Sequence, residues 1–218
     1  MTKVLEHSTD FSLVQGLLAK DTGFEMLASS FADLPLDPYI QGDFRYRCYS
    51  NVKIEAGHIR RQPTKTFMQP SHINQYLGDV ERQYQEIPEQ TLTGAAMSSM
   101  LKDFKDQCAL SDDAVIEIHQ IRIKTQSRNA TPPAPEGVHQ DGFNYLGIYV
   151  IGTQTVEGGE VMLYEAKDEA PFFCERFADG QYVILNDARY FHNAAPVLPL
   201  PGQDQGYWDV VVLTAHAG

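Results

Sequence analysis

From residue 115 to residue 216 the chain is a succession of short alternating or apolar runs, each closed by glycine, proline or aspartate. Residues 115–125 (V-I-E-I-H-Q-I-R-I-K-T) alternate with the period of a strand. Ile116, Ile118, Gln120, Arg122 and Lys124 then share one face, and Val115, Glu117, His119, Ile121 and Ile123 the other. A proline-bearing loop over 127–137 leads to an apolar strand over 143–151. Glu157-Gly158-Gly159-Glu160 makes a turn, and 161–164 is the return strand. Further strands follow over 172–177, 181–187 and 208–216, with Pro196 to Gly206 as a loop. Short strands at this spacing specify an antiparallel sandwich or barrel. Arg122 lies within that sheet, so its charge needs a partner.

The first half is mixed. Thr9-Asp10 can cap a helix carrying Phe11, Val14, Leu17 and Leu18, and 24–28 has the pattern of a short strand. Residues 44–54 alternate strongly, which places Arg45 and Arg47 together on one face of a strand. Two arginines so placed suit an anion; they also suit the solvated face of an edge strand. Residues 56–90 are polar and proline-broken, and no assignment is made there. Met97, Met100, Leu101 and Phe104 mark an amphipathic helix over 92–108. The expected organisation is one domain over 1–218: a mixed part with supporting helices over 1–110, and core strands over 111–218.

Charge narrows the partners. Asp and Glu outnumber Lys and Arg by 29 to 17, a formal net charge of −12, which repels a phosphate backbone. Nucleic acid is therefore not expected. No run approaches a membrane span, and the first residues have no apolar signal core. Three scattered cysteines, with no C-x-x-C, suit a reducing compartment and give no zinc knuckle, so a cytoplasmic protein is expected. G-x-S-x-G, H-E-x-x-H and phosphate-loop motifs are absent. The oligomeric state is not legible.

Within the strand-rich half, P-E-G-V-H-Q-D-G-F-N-Y (135–145) puts His139 two residues before Asp141, ahead of the apolar run. His192 follows another strand far downstream. Side chains two apart on a strand stand roughly 6–7 Å apart on one side and converge if the strand flares, which Gly142 permits. Two imidazoles and one carboxylate make the facial set of a non-haem Fe(II) centre, open on the opposite side. A closed zinc site would want a fourth ligand, usually cysteine. No catalytic side chain beyond the metal ligands is expected.

These residues resemble the small bacterial Fe(II)/2-oxoglutarate dioxygenases that include the L-isoleucine hydroxylases, which act on free amino acids. The resemblance also rests on R-Y-R-C-Y-S (45–50), H-Q-I-R-I-K (119–124), E-G-G-E (157–160), R-Y-F-H-N-A-A-P (189–196) and W-D-V-V-V-L-T-A (208–215), and runs over roughly 42–216. It implies a double-stranded β-helix of the jelly-roll or cupin kind, flanked by helices. It implies iron on His139, Asp141 and His192, with 2-oxoglutarate and O₂ as cosubstrates for oxidation of an aliphatic C–H. One departure is visible: Trp208 precedes Asp209 where this family carries the arginine that binds the far carboxylate of 2-oxoglutarate. A guanidinium fork suits that carboxylate, and an indole does not. Another arginine can supply the fork, with Arg122 the first candidate and Arg47 or Arg189 next. Alternatively the enzyme dispenses with 2-oxoglutarate and binds substrate directly on iron, or the carboxylate is held elsewhere. A module that binds metal without turnover is the third class. Arg45, Arg47 or Arg122 is expected to hold a substrate carboxylate. Tyr145 would shape the pocket, and Asn144, where relatives often have Asp, would bear on how a substrate amine is held.

Overall fold

Three long strands carry the architecture, and each realises an alternating stretch of the sequence. The structure, a computed structural model, describes residues 3–4, 13–74, 76–126 and 130–217. In chain order the elements are β1 (Lys3–Val4), β2 (Leu13–Leu17), α1 (Thr22–Ser29), β3 (Arg45–Glu55), β4 (His58–Arg61), α2 (Glu89–Leu92), α3 (Ala95–Gln107), β5 (Ile116–Gln126), β6 (Tyr145–Gln154), β7 (Val156–Glu157), β8 (Val161–Tyr164), β9 (Phe173–Glu175), β10 (Gln181–Asn186), β11 (Phe191–Ala194), β12 (Leu198–Pro199) and β13 (Gln205–Ala215). The main sheet runs β1-β2-β10-β6-β13-β5-β3-β4, antiparallel wherever strands pair. A smaller sheet, β11-β8-β9, and the pair β12-β7 complete the second layer. This is the expected mainly-β double-stranded β-helix with flanking helices, except that the sheets face each other without closing into a barrel.

The pleat sorts the main sheet into two faces. The outer face packs Phe24 and Leu27 of α1 and Met97, Met100, Leu101 and Phe104 of α3 against Ile118, Tyr149 and Leu213. At Gly147 a Cβ would meet the Tyr149 ring at 2.8 Å and the Phe104 ring at 3.1 Å, so glycine is what lets α3 lie this close. The inner face forms a second core toward the small sheet, with Ile123, Leu146, Val150, Val161, Leu163 and Trp208. Register arranges its side chains in cross-strand rows. Arg45, Ile123 and Trp208 form one row, Arg47, Ile121 and Val210 the next, and Tyr49, His119 and Val212 the third.

Two expectations are overturned near the N-terminus. Residues 13–17 form a strand, not a helix: their apolar spacing serves either, and pairing with β10 and β1 decides for the sheet. Thr9, Asp10 and Phe11 lie outside the described residues. Residues 24–28, expected as a strand, belong to α1, because the Asp21 side chain caps it by accepting from the Phe24 N–H at 3.1 Å. The helix expected over 92–108 begins at Ala95, since Gly94 separates it from the single turn of α2.

Arg122 projects from the outer face. Its Nε and Nη2 donate to Oδ1 and Oδ2 of Asp209, both at 2.7 Å, and its guanidinium lies 4.1 Å over the Tyr207 ring. Burial raises the Asp209 carboxyl to about 6 although Arg122 opposes the shift, so the pair is ionised at neutral pH.

Candidate metal centre

His139 and His192 are brought together by backbone. Each donates its N–H to the carbonyl oxygen of the other, at 3.0 and 2.8 Å, in an isolated antiparallel bridge. A second bridge, Thr131 to Val197, runs alongside. The segment before β6 therefore lies along β11 at the rim of the small sheet. Gly142, at φ +86°, turns the chain immediately after Asp141, as its position had suggested. Among the described residues, His139, Asp141 and His192 form one group whose ligand atoms all lie within 4.8 Å of one another. The Nε2 atoms of His139 and His192 stand 3.6 and 3.7 Å from the Asp141 carboxylate oxygens. Those gaps are too long for hydrogen bonds. They approach the roughly 3 Å between neighbouring ligands of one ion at ~2.1 Å, so the donors fit a small divalent metal.

The shell behind the three residues fixes which atoms face inward. His139 Nδ1 donates to the Gly137 carbonyl at 2.7 Å, which leaves Nε2 as the free lone pair. His192 Nδ1 lies 3.2 Å from Asp187 Oδ1, a charge contact and not an aligned hydrogen bond, and its Nε2 faces Asp141. The other oxygen of fully buried Asp187 accepts from the backbone N–H groups of Asp141, Gly142 and Phe143 at 2.9, 3.1 and 3.3 Å. One carboxylate thus steers two of the three residues. Gln69 steers the same aspartate from the other side: its Nε2 donates to Asp141 O at 3.2 Å and Oδ1 at 3.1 Å. Burial pushes the Asp141 carboxyl up, but His139 and His192 more than reverse this and hold it below its usual range. For His139, burial lowers the imidazole, and the neighbouring Asp141 and Glu136 carboxylates raise it to about 9.

The cavity in front of the triad has two characters. One wall is apolar, from Ile123, Ile148, Val161, Trp208 and Val210. The other is cationic, from Arg45, Arg47 and Arg82 beside His119 and Gln69. Arg45 is neutralised by Asp37, whose Oδ2 accepts from its Nε and Nη2 at 2.8 Å. Arg47 Nη2 lies 2.5 Å from His119 Nδ1. An arginine only donates, so His119 accepts there and carries its proton on Nε2. Burial, then Arg47, hold His119 well below the ordinary imidazole value, so it is neutral.

The expected site residues separate cleanly by placement. Arg45 and Arg47 line the cavity and are buried, not the solvated face of an edge strand. Trp208 lines it too. Arg122 is not brought there: it sits on the opposite face of β5 and its fork is filled by Asp209. Arg189 is exposed against Tyr190. Asn144 is a structural tie, its Oδ1 accepting from Ala217 N at 3.0 Å and its N–H donating to Ala215 O at 3.1 Å. Tyr145 packs toward the outer core beneath the helices, away from the cavity. Gln69, Arg82, Glu136 and Asp187 are the site residues the sequence reading missed. Asp187 closes a recognisable strand, but nothing in its spacing indicates three backbone donors.

Comparison with known proteins agrees with this geometry. The family described as 2OG-Fe dioxygenase matches residues 28–214. No curated protein matches the sequence. Among solved structures, a bsmA homolog from Methylobium petroleophilum PM1 is similar over 90% of this chain and 81% of its own, with 25% identity and a TM-score of 0.77. IDO from Bacillus thuringiensis is similar over 94% and 90%, with 14% identity and a TM-score of 0.77. The Fe(II)/(alpha)ketoglutarate-dependent dioxygenase TqaL is similar over 91% and 76%, with 17% identity and a TM-score of 0.69. At those identities the last two speak for the fold alone. The family match decides against the oxygenase without 2-oxoglutarate, which Trp208 had kept open, and against the module without turnover. From residue 28 to residue 214 this chain belongs to the 2OG-Fe dioxygenase family, enzymes that work with Fe(II), 2-oxoglutarate and O₂.

Proposed function

We propose that this dioxygenase hydroxylates an aliphatic C–H of a small free amino acid or related carboxylate, as one domain over 1–218. The observation that carries the reading is the meeting, in one cavity, of the triad with the buried arginines of β3. We assign Fe(II) to His139, Asp141 and His192; when bound, it supplies activation of O₂ coupled to decarboxylation of 2-oxoglutarate. The chain's own residues do the positioning. Asp187 and Gln69 hold the ligand atoms in place. Arg47 turns a guanidinium fork, well shaped for a carboxylate, to the cavity, whereas the fork of Arg45 beside it is taken by Asp37. The wall of Ile148, Val161 and Val210 excludes water from an alkyl group. Glu136, 3.6 Å from His139 Nε2, offers a carboxylate to a substrate ammonium. Trp208 extends the apolar wall and has no charge to offer the cosubstrate. Three unpaired thiols, at Cys48, Cys108 and Cys174, support a reducing, cytoplasmic setting. Among the described residues no helix is long and apolar enough to cross a membrane.

The test is turnover. The protein, with Fe(II), 2-oxoglutarate and a reductant, is offered the free amino acids one by one. Succinate and the oxidised product are then measured together by mass spectrometry. We expect at least one amino acid to raise succinate in step with a product 16 mass units heavier, the mass of one oxygen atom. If no amino acid or simple carboxylate stimulated succinate release, this substrate class would be wrong.

A further inference from the structure

Two cations in the cavity wall have no acidic partner among the described residues. Arg47 and Arg82 are 7% and 2% exposed. Their guanidinium carbons lie 5.3 and 4.5 Å from the centre of the same Phe67 ring, and Arg47 also stands 4.5 Å over Tyr84. Their polar contacts are with neutral groups: Arg47 Nη2 with His119, and Arg82 Nη2 with the Gln69 Oε1 at 3.0 Å. The Nε of each is buried without a hydrogen-bond partner. Arg45 and Arg122, by contrast, each have an aspartate.

Magnitudes decide what this means. A cation–π contact offsets only a small part of the cost of taking a charge out of water, and two like charges side by side cost more. Rings and neutral acceptors do not offset that; an anion between the two forks does. The surroundings also locate it. Arg82 is tied to Phe67 by a backbone bridge, and Gln69, bonded to Arg82, is bonded also to Asp141. The pair therefore sits within one side chain of a metal-facing carboxylate.

We propose that Arg47 and Arg82 form a carboxylate clamp on the cationic wall of the cavity. Its occupant is either the distal carboxylate of 2-oxoglutarate or the carboxylate of the substrate; the identification of both molecules rests on the functional reading above, but the clamp does not.

Glutarate, which has carboxylates and no metal-chelating oxo group, tests the clamp without metal. Millimolar glutarate is expected to raise the Tm of the wild-type chain and to leave Arg82→Gln and Arg47→Gln unmoved. No rise in the wild type, or an equal rise in the variants, overturns the clamp. Without ligand, both variants should melt at or above the wild type, because an unpaired buried charge has been removed. A fall in Tm with glutarate binding intact would make the arginines structural only. If a glutamine variant fails to fold, Arg82→Lys and Arg47→Lys keep the charge but lose the fork; each should weaken glutarate about tenfold, and unchanged binding overturns the clamp. Anaerobic titration of the Fe(II) protein then separates the sources. A clamp for the cosubstrate weakens 2-oxoglutarate about tenfold to a hundredfold in Arg82→Gln and leaves 2-oxobutyrate, which lacks the distal carboxylate, unchanged. A clamp for the substrate leaves both oxo acids unchanged and raises the KM of the stimulating amino acid by the same factor. A wild type that binds glutarate but gives no charge-transfer band with 2-oxoglutarate would fail the functional reading and leave the clamp standing.

Discussion

Asp141 stands between two imidazoles and accepts a hydrogen bond from Gln69, and its charge follows from that company. Because His139 is raised to about 9 by these carboxylates, a proton competes with metal for Nε2 in chelator-stripped protein. Co(II) affinity should rise about tenfold per pH unit from 7 toward 9 and level off above, measured by calorimetry in buffers of different ionisation heat. A flat profile would remove His139 from the ligand set. The same proton stabilises the stripped fold. A folded value above the usual 6.5 gives stability that is full below about 6.5 and lost as pH rises through about 9. His139→Ala and Asp141→Ala should lose metal and turnover while keeping the wild-type circular dichroism; either one retaining full activity would refute the assignment. Asp187→Asn should cost about tenfold to a hundredfold in metal affinity, since it weakens the hold on two ligands at once. At this scale the sequence was partly legible. His139 and Asp141 were found because a spacing of two beside a glycine has a simple geometric meaning. Gln69 and Arg82 were not, because they lie in a stretch without periodicity, where tertiary hydrogen bonds alone decide which way a side chain faces.

Between elements, the alternation of β3, β5 and β13 was readable, and it correctly put Arg45 and Arg47 on one face. What alternation cannot say is which face looks at the cavity. Arg122 illustrates the limit: its need for a partner was foreseen from its place in the sheet, but the partner is Asp209 directly opposite on β13, not a ligand. Arg122→Leu should therefore destabilise the fold by about 3–5 kcal/mol, the cost of stranding a buried carboxylate. It should leave anaerobic 2-oxoglutarate binding unchanged. The double variant with Asp209→Leu should recover most of the stability in urea titration. Loss of 2-oxoglutarate affinity in Arg122→Leu, with stability intact, would restore it as the cosubstrate anchor. The two N-terminal reversals have a related cause. A short apolar run carries too few turns to separate a period of 3.6 from one of 2, so a neighbouring strand settled β2 and a single capping aspartate settled α1.

Across the whole molecule, the main sheet is held by long ladders, whereas the metal ligands rely on the Asp187 carboxylate, the Thr131–Val197 bridge and one reciprocal backbone pair between His139 and His192. Between them the chain leaves, crosses both layers through β6 to β10, and returns in β11. Iron bound by all three residues would consequently pin the two ends of that excursion to each other, acting on the chain as a crosslink does. Closing so long a loop restrains the unfolded state as well as ordering the folded one. Chelation should accordingly speed amide hydrogen exchange at His139 and His192 by tens-fold while β5 and β13 stay protected. An enzyme built this way is most firmly shut along the seam of its small sheet only while it carries the ion it works with.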